Sequence, residues 1–189
     1  MAVGLNRYIQ QYCLANVSWY DFNPSDPIFA RIQKDFLEEQ TKMYGTNHIY
    51  GVDLFNEVSP PSWEPDSLAK ISAGVYESLT SVDPEAIWLQ MAWLFISNKR
   101  AWTPERIKAY LTAIPQGRMI MLDYECDYTE IWRLTEHFYG HKFIWCYLGN
   151  FGGMTEIEGD YKHNAKLNAS PMLTKQATET AWWRLRRNS

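Results

Sequence analysis

An amide and a carboxylate, Asn56 and Glu57, stand at the end of the short run Ile49-Tyr50-Gly51-Val52-Asp53-Leu54-Phe55 and are followed by Val58, Ser59 and the turn pair Pro60-Pro61. β-Branched and aromatic residues dominate the run, which reads as a buried strand over 49–55. A Glu at the C-terminal tip of a parallel strand is where barrel enzymes keep their catalytic groups. The same carboxylate could instead end the strand as a turn or helix-capping group. Cleavage of a glycosidic bond takes two carboxyl groups, one to protonate the leaving oxygen and one to attack or to activate water. An Asn just before the acid can hydrogen-bond the substituent on the sugar's second carbon, and a Trp from an adjacent strand end can stack on the ring. Asn56, Glu57 and Trp93 supply that set.

Other chemistries find less support. The 189 residues have the length of one domain, and a net charge of -4 gives no electrostatic case for nucleic acid or an anionic membrane. Cys13, Cys126 and Cys146 have neither disulfide-framework nor zinc spacing, and His48, His137, His141 and His163 form no metal-type cluster, so neither a cofactor nor a metal is expected. There is no apolar stretch of membrane-spanning length, and Met1–Arg7 lacks the apolar segment of a signal peptide. Nine Trp and twelve Tyr are the anomaly. Aromatic faces stack on sugar rings as readily as they fill cores, so composition leans toward a carbohydrate partner.

The elements that would position these groups alternate. Asp26-Pro27 caps and opens a helix to about Tyr44, with Ile28, Ile32, Phe36 and Met43 on its inner face and Gly45 ending it. After the strand at 49–55, Asp66 caps a second helix through Leu68, Ile71, Val75, Leu79 and Val82. A strand at 86–91 leads to Trp93-Leu94-Phe95. Thr103-Pro104 opens a third helix, and Met119–Leu122 is a strand ending at Asp123. A helix over about 129–138 and a strand at 143–148 complete the run, with the loop Gly149-Asn150-Phe151-Gly152-Gly153 beyond. Near-continuous apolar strands alternating with amphipathic helices imply parallel pairing. A doubly wound sheet and a barrel both fit, but no Gly-rich phosphate loop follows any strand. The strand ends carry Asn56-Glu57, Gln90 with Trp93, Asp123 with Glu125, and Asn150 with Phe151, which in a barrel converge on one mouth. The barrel is the favoured reading, and about four β/α units make it incomplete.

Longer motifs carry a family resemblance. Residues 44–63, Tyr-Gly-Thr-Asn-His-Ile-Tyr-Gly-Val-Asp-Leu-Phe-Asn-Glu-Val-Ser-Pro-Pro-Ser-Trp, resemble the catalytic stretch of glycoside hydrolase family 89, the α-N-acetylglucosaminidases. The resemblance continues through Val75-Tyr76-Glu77, residues 82–90, Trp93-Leu94-Phe95, Pro115–Arg118, Leu122-Asp123 and residues 143–153, with Asn23–Phe29 upstream. It covers about residues 20–165 and divides the chain into an unmatched segment 1–22, a partial (β/α)8 catalytic barrel over 23–165 and an unmatched tail 166–189. It implies removal of terminal α-linked N-acetylglucosamine from glycans such as heparan sulfate, with retention of configuration. It also implies no cofactor and a secreted, periplasmic or lysosomal setting. Glu57 matches the general acid/base, Asn56 its neighbour in the sugar pocket and Trp93 an aromatic wall. Trp145, Cys146 and Asn150 lie in matching motifs and would line the mouth, unless they serve strand-end packing and turn formation.

The family's nucleophilic Glu is expected on a strand beyond the Asn-Phe-Gly-Gly loop, and nothing in residues 171–189 resembles it. Glu179 stands at a possible distance in unlike surroundings, and Glu156 and Glu158 read as solvated. Besides the glycan, the partner expected is therefore the missing remainder of the barrel or flanking domains. The alternatives are a non-catalytic sugar-binding or structural remnant lacking the nucleophile, and another retaining barrel glycosidase with the same Asn-Glu strand ending.

Overall fold

A computed structural model describes residues 27–55, 58–124, 126 and 129–146. Helix α1 (Pro27–Tyr44) precedes strand β1 (Ile49–Gly51), helix α2 (Pro65–Val82) and strand β2 (Ile87–Met91). Short helix α3 (Trp93–Ser97) and helix α4 (Pro104–Thr112) lead to strand β3 (Met119–Asp123). Two single turns, α5 (Ile131–Leu134) and α6 (Glu136–Tyr139), then connect to strand β4 (Lys142–Trp145).

Among the described residues the strands form one sheet in the order β1-β2-β3-β4, and every pair is parallel. The register sets Tyr50 beside Trp88, Trp88 beside Met119, and Asp123 beside Trp145. Strand order follows chain order without reversal, as in a barrel segment and unlike a doubly wound sheet, whose order reverses at its switch point. Burial alternates along β2: Trp88 and Gln90 are buried, whereas Ile87, Leu89 and Met91 are half-buried. Trp88, Met119 and Met121 join a core with Leu68, Ile71, Val75 and Leu79 of α2 and Ile107, Tyr110 and Leu111 of α4. The helices therefore cover one face of the sheet. On the other face Ile120 is buried, while Leu89, Met91 and Leu122 are half-buried and Ile144 is 44% exposed.

Local chemistry sets the element ends. Thr103 Oγ1 accepts the Arg106 N–H at the start of α4, and Pro104 occupies the first turn, where its missing N–H is not needed. α1 stops where Gly45 adopts φ +72° and its N–H returns to the Thr41 carbonyl at 2.8 Å.

Several expectations are corrected. β1 ends at Gly51 rather than Phe55, because Phe55 turns to φ +57° and Val52 makes the last ladder-like bond, to the Leu89 carbonyl at 3.2 Å. α1 packs on α2 through buried Leu37 and partly buried Phe29 and Phe36, leaving Ile28 and Met43 exposed. Glu64, not Asp66, holds the cap position of α2, with Pro65 opening the helix. The helix expected over 129–138 breaks after Leu134, where Glu136, His137, Phe138 and Tyr139 take φ of 49°, 59°, 51° and 50°. That left-handed turn costs L-residues about 1–2 kcal/mol each. It brings Phe138, fully buried, against Phe143 of β4 at 5.5 Å between ring centres.

Candidate active site

The C-terminal ends of the four strands form a rim. At the exit of β1, Val52 and Asp53 are held by two buried side chains of β2. Trp88 Nε1 donates to the Val52 carbonyl at 2.7 Å, and Gln90 Nε2 donates to Asp53 Oδ1 at 3.0 Å. Tyr110 of α4, fully buried, donates its hydroxyl to Gln90 Oε1 at 3.3 Å. Burial raises the Tyr110 phenol well above its ordinary range, and the Asp53 carboxylate adds to it.

Tyr124 follows β3 directly and is half-buried. Its phenol is raised by burial, then by the Cys146 thiol beyond β4 and the Asp53 carboxylate beyond β1. Tyr124, after β3, thus feels both Cys146 beyond β4 and Asp53 beyond β1. The composition signal for Asp53 and Tyr124 was weak, since single residues after short strands resemble ordinary turn residues.

Trp93 is the first residue of α3, at the end of β2, and is half-buried. Trp145, the last residue of β4, packs against the core cluster. Cys146 follows it, half-buried, with its N–H on the Asp123 carbonyl at 3.1 Å and its Sγ donating to the Ile144 carbonyl at 3.4 Å. Burial, then the Asp123 carboxylate, pushes the Cys146 thiol up to about 11. It stays protonated near neutrality, so it can line a pocket but is a poor nucleophile. Cys126, fully buried, is driven far higher, by burial first and Asp123 second. Asn56, Glu57 and Asn150 lie outside the described residues, as do Glu156, Glu158 and Glu179.

Asp123 does not reach the mouth as its strand-end position suggested. It is completely buried on the helix side, where its Oδ2 accepts the Trp132 N–H at 3.0 Å in the first turn of α5. Burial pushes this carboxyl up to about 6, partly offset by the Trp132 N–H and the Cys126 thiol. A carboxyl poised near neutrality often marks a general acid. Here no solvent reaches it, and its geometry is that of a helix cap. Among the described residues no group of three or more His, Cys, Asp or Glu could hold a metal ion.

A family model described as the Alpha-N-acetylglucosaminidase (NAGLU) tim-barrel domain matches residues 6–181. The human protein Alpha-N-acetylglucosaminidase is 46% identical over 146 residues, covering 72% of this chain and 20% of that protein. The chain therefore spans about a fifth of the length of this curated relative. Two solved structures of a family 89 glycoside hydrolase from Clostridium perfringens, in complex with 2-acetamido-1,2-dideoxynojirmycin and with PUGNAc, each align with a TM-score of 0.54. Their identities are 23% and 24%, with 68% of this chain and 13% of theirs covered, which speaks for the fold alone. The sheet and its helices are part of a TIM-type (β/α)8 barrel.

Proposed function

The chain belongs to the alpha-N-acetylglucosaminidase (NAGLU) family, and on that premise we propose that the protein carrying it is a glycosidase that removes terminal α-linked N-acetylglucosamine from glycans of the heparan sulfate kind, with retention of configuration. Glu57 is the general acid/base in this reading. Asn56 holds the substituent on the second carbon, and Trp93 forms an aromatic wall, with Cys146 and Asn150 around the mouth, whereas Trp145, beside Asp123 on the helix side, serves strand-end packing.

The observation that carries the reading is the all-parallel sheet in chain order, which puts the C-terminal ends of the four strands on one rim, because Asn56 and Glu57 follow β1's exit within four residues of Asp53. Barrel enzymes assemble their chemistry from such exits. The raised thiol of Cys146 disfavours a thiolate nucleophile there. In the first step Glu57 gives its proton to the leaving oxygen while the second carboxylate, supplied from elsewhere in the complete barrel, attacks the anomeric carbon. Water then attacks the anomeric carbon, breaking its bond to that carboxylate, while Glu57 takes the water's proton.

Glu57→Gln in the full-length protein tests the assignment. The amide keeps shape and hydrogen bonding but cannot move a proton, so hydrolysis of an unactivated glycan should fall by about 10²–10⁴-fold. An aryl α-N-acetylglucosaminide whose leaving group needs no protonation should lose much less, provided bond cleavage limits the rate. Near wild-type turnover of both substrates rules out the acid role.

A further inference from the structure

Gln90 occupies a position where the core would accept an apolar residue. It is fully buried on the helix side of β2, two residues after Trp88 and level with the core of α2 and α4. Burying an amide there is costly unless its polar atoms are paired. Each end of it is bonded. Nε2 donates to Asp53 Oδ1 at 3.0 Å and to the Met91 carbonyl at 2.9 Å, while Oε1 accepts the Tyr110 hydroxyl at 3.3 Å. Satisfying the amide in this way neutralises its penalty but adds little stability over a well-packed apolar side chain. What the amide does that an apolar residue cannot is grip a carboxylate on the neighbouring strand.

The grip is one of two on the same segment. Upstream of Glu57, Gln90 holds Asp53 and Trp88 Nε1 holds the Val52 carbonyl at 2.7 Å. Downstream, Trp63 meets Trp102 edge-to-face at 5.3 Å, under the Arg106 guanidinium at 5.6 Å. Tyr110 links the two grips: it bonds Gln90 and contacts Trp88 at 6.0 Å and Trp102 at 5.6 Å. Glu57 lies four residues after Asp53 and six before Trp63. β1 itself is only three residues long, so its own ladder fixes the exit weakly.

We infer that Gln90, oriented by Tyr110, is a positioning residue that fixes Asp53 and so sets the strand exit from which Asn56 and Glu57 depart. The inference rests on the reading of Glu57 as acid. Its physical content is that proton transfer tolerates little misplacement, and a buried amide from the next strand supplies a rigidity the short β1 lacks.

The experiment uses the full-length protein with Gln90→Met, Tyr110→Phe and Glu57→Gln. Gln90→Met keeps volume and burial but cannot hold a carboxylate, and Tyr110→Phe removes one hydroxyl. Hydrogen exchange of the peptide spanning 52–58 should speed up in both, while peptides of α2 and β3 keep their protection. The ratio of kcat/KM on an unactivated glycan to that on an activated aryl glycoside should fall about tenfold or more in Gln90→Met, as for a misplaced acid, and less in Tyr110→Phe. A simple loss of folded protein lowers both substrates alike and leaves the ratio untouched. Unchanged exchange at 52–58 overturns the inference. So does faster exchange with an unchanged ratio, when Glu57→Gln does change it. If Glu57→Gln leaves the ratio unaltered, the acid assignment is what fails, and exchange at 52–58 alone decides whether Gln90 fixes the strand exit.

Discussion

Replacing Asp123 by Asn should make the fold more stable near neutrality, and the pH dependence of that gain can be worked out from its surroundings. The carboxyl is fully buried at the end of β3 and pushed up to about 6 by burial, whereas in the unfolded chain it titrates near 3.8. Between those values the folded state binds more protons than the unfolded one, so stability falls as pH rises and levels off above the folded value. A gap of about two units, at about 1.4 kcal/mol per unit, makes the loss about 3 kcal/mol. Asn keeps an oxygen for the Trp132 N–H and has no charge to bury. Its NH2 group, set beside Cys126, adds a fixed penalty of about 1–2 kcal/mol at every pH. Asp123→Asn should therefore be slightly less stable than the parent near pH 4 and more stable near pH 7, the difference swinging by about 3 kcal/mol. Urea unfolding of the full-length protein, followed by Trp fluorescence across that range, measures the swing. A constant offset at all pH values would refute the reasoning, because it would mean that Asp123 titrates alike in the folded and unfolded states.

The opposite sign is expected at the other end of the barrel. Burial raises the Asp83 carboxyl, but bonds from Tyr50 (2.7 Å) and His48 (2.8 Å) outweigh it and leave it below its ordinary value. Its contribution is present above the unfolded value and lost as pH falls through the folded one. Tyr50→Phe should thus destabilise by about 1.5–3 kcal/mol near neutrality, with the deficit shrinking in acid, as pH-dependent melts would show. Trp93→Ala should weaken inhibitor binding by about 0.5–1.5 kcal/mol beyond area loss if Trp93 walls the pocket. A lowered melting point with unchanged affinity of the folded protein removes that assignment.

The alternation of strands and helices was legible because its signals are local: Leu68, Ile71, Val75 and Leu79 recur at helical spacing, and Thr103-Pro104 caps and opens α4. Tertiary geometry decides what was missed. Little in the run Ile49–Phe55 marks Gly51 as the last paired residue, since Val52, Leu54 and Phe55 suit a strand and only Asp53 does not. The left-handed turn Glu136–Tyr139 breaks a good helical pattern because Phe138 must reach the core beside Phe143. At β1's exit the Asn-Glu pair rests on chemistry alone and lies outside the described residues, while the Asp53–Gln90–Tyr110 chain links residues 37 and 20 positions apart, beyond any local pattern. Asp123 misled for a related reason. A carboxylate at a strand tip faces the mouth or the helix layer according to the pleat, and sequence alone does not give its phase.

That pleat divides the sheet's work. Trp88 and Gln90 point to the helices and hold the neighbouring strand's exit, while Ile87, Leu89 and Met91 alternate with them on the opposite face and remain half-buried. In a closed barrel that inner face is filled by side chains contributed in layers from strands all around. Among the described residues it is only partly covered: Ile120 is buried but Ile144 is 44% exposed, and β1 and β4 each pair on one side only. Unpaired edges and open apolar surface of this kind call for further strands. The proposed reaction makes the same demand independently, because retention would need a second carboxyl group about 5–5.5 Å from Glu57, across the sugar. In that reading an acid at β1's exit requires a nucleophile on the facing wall. The strands that would cover Leu89, Met91 and Ile144 are the ones in a position to carry it.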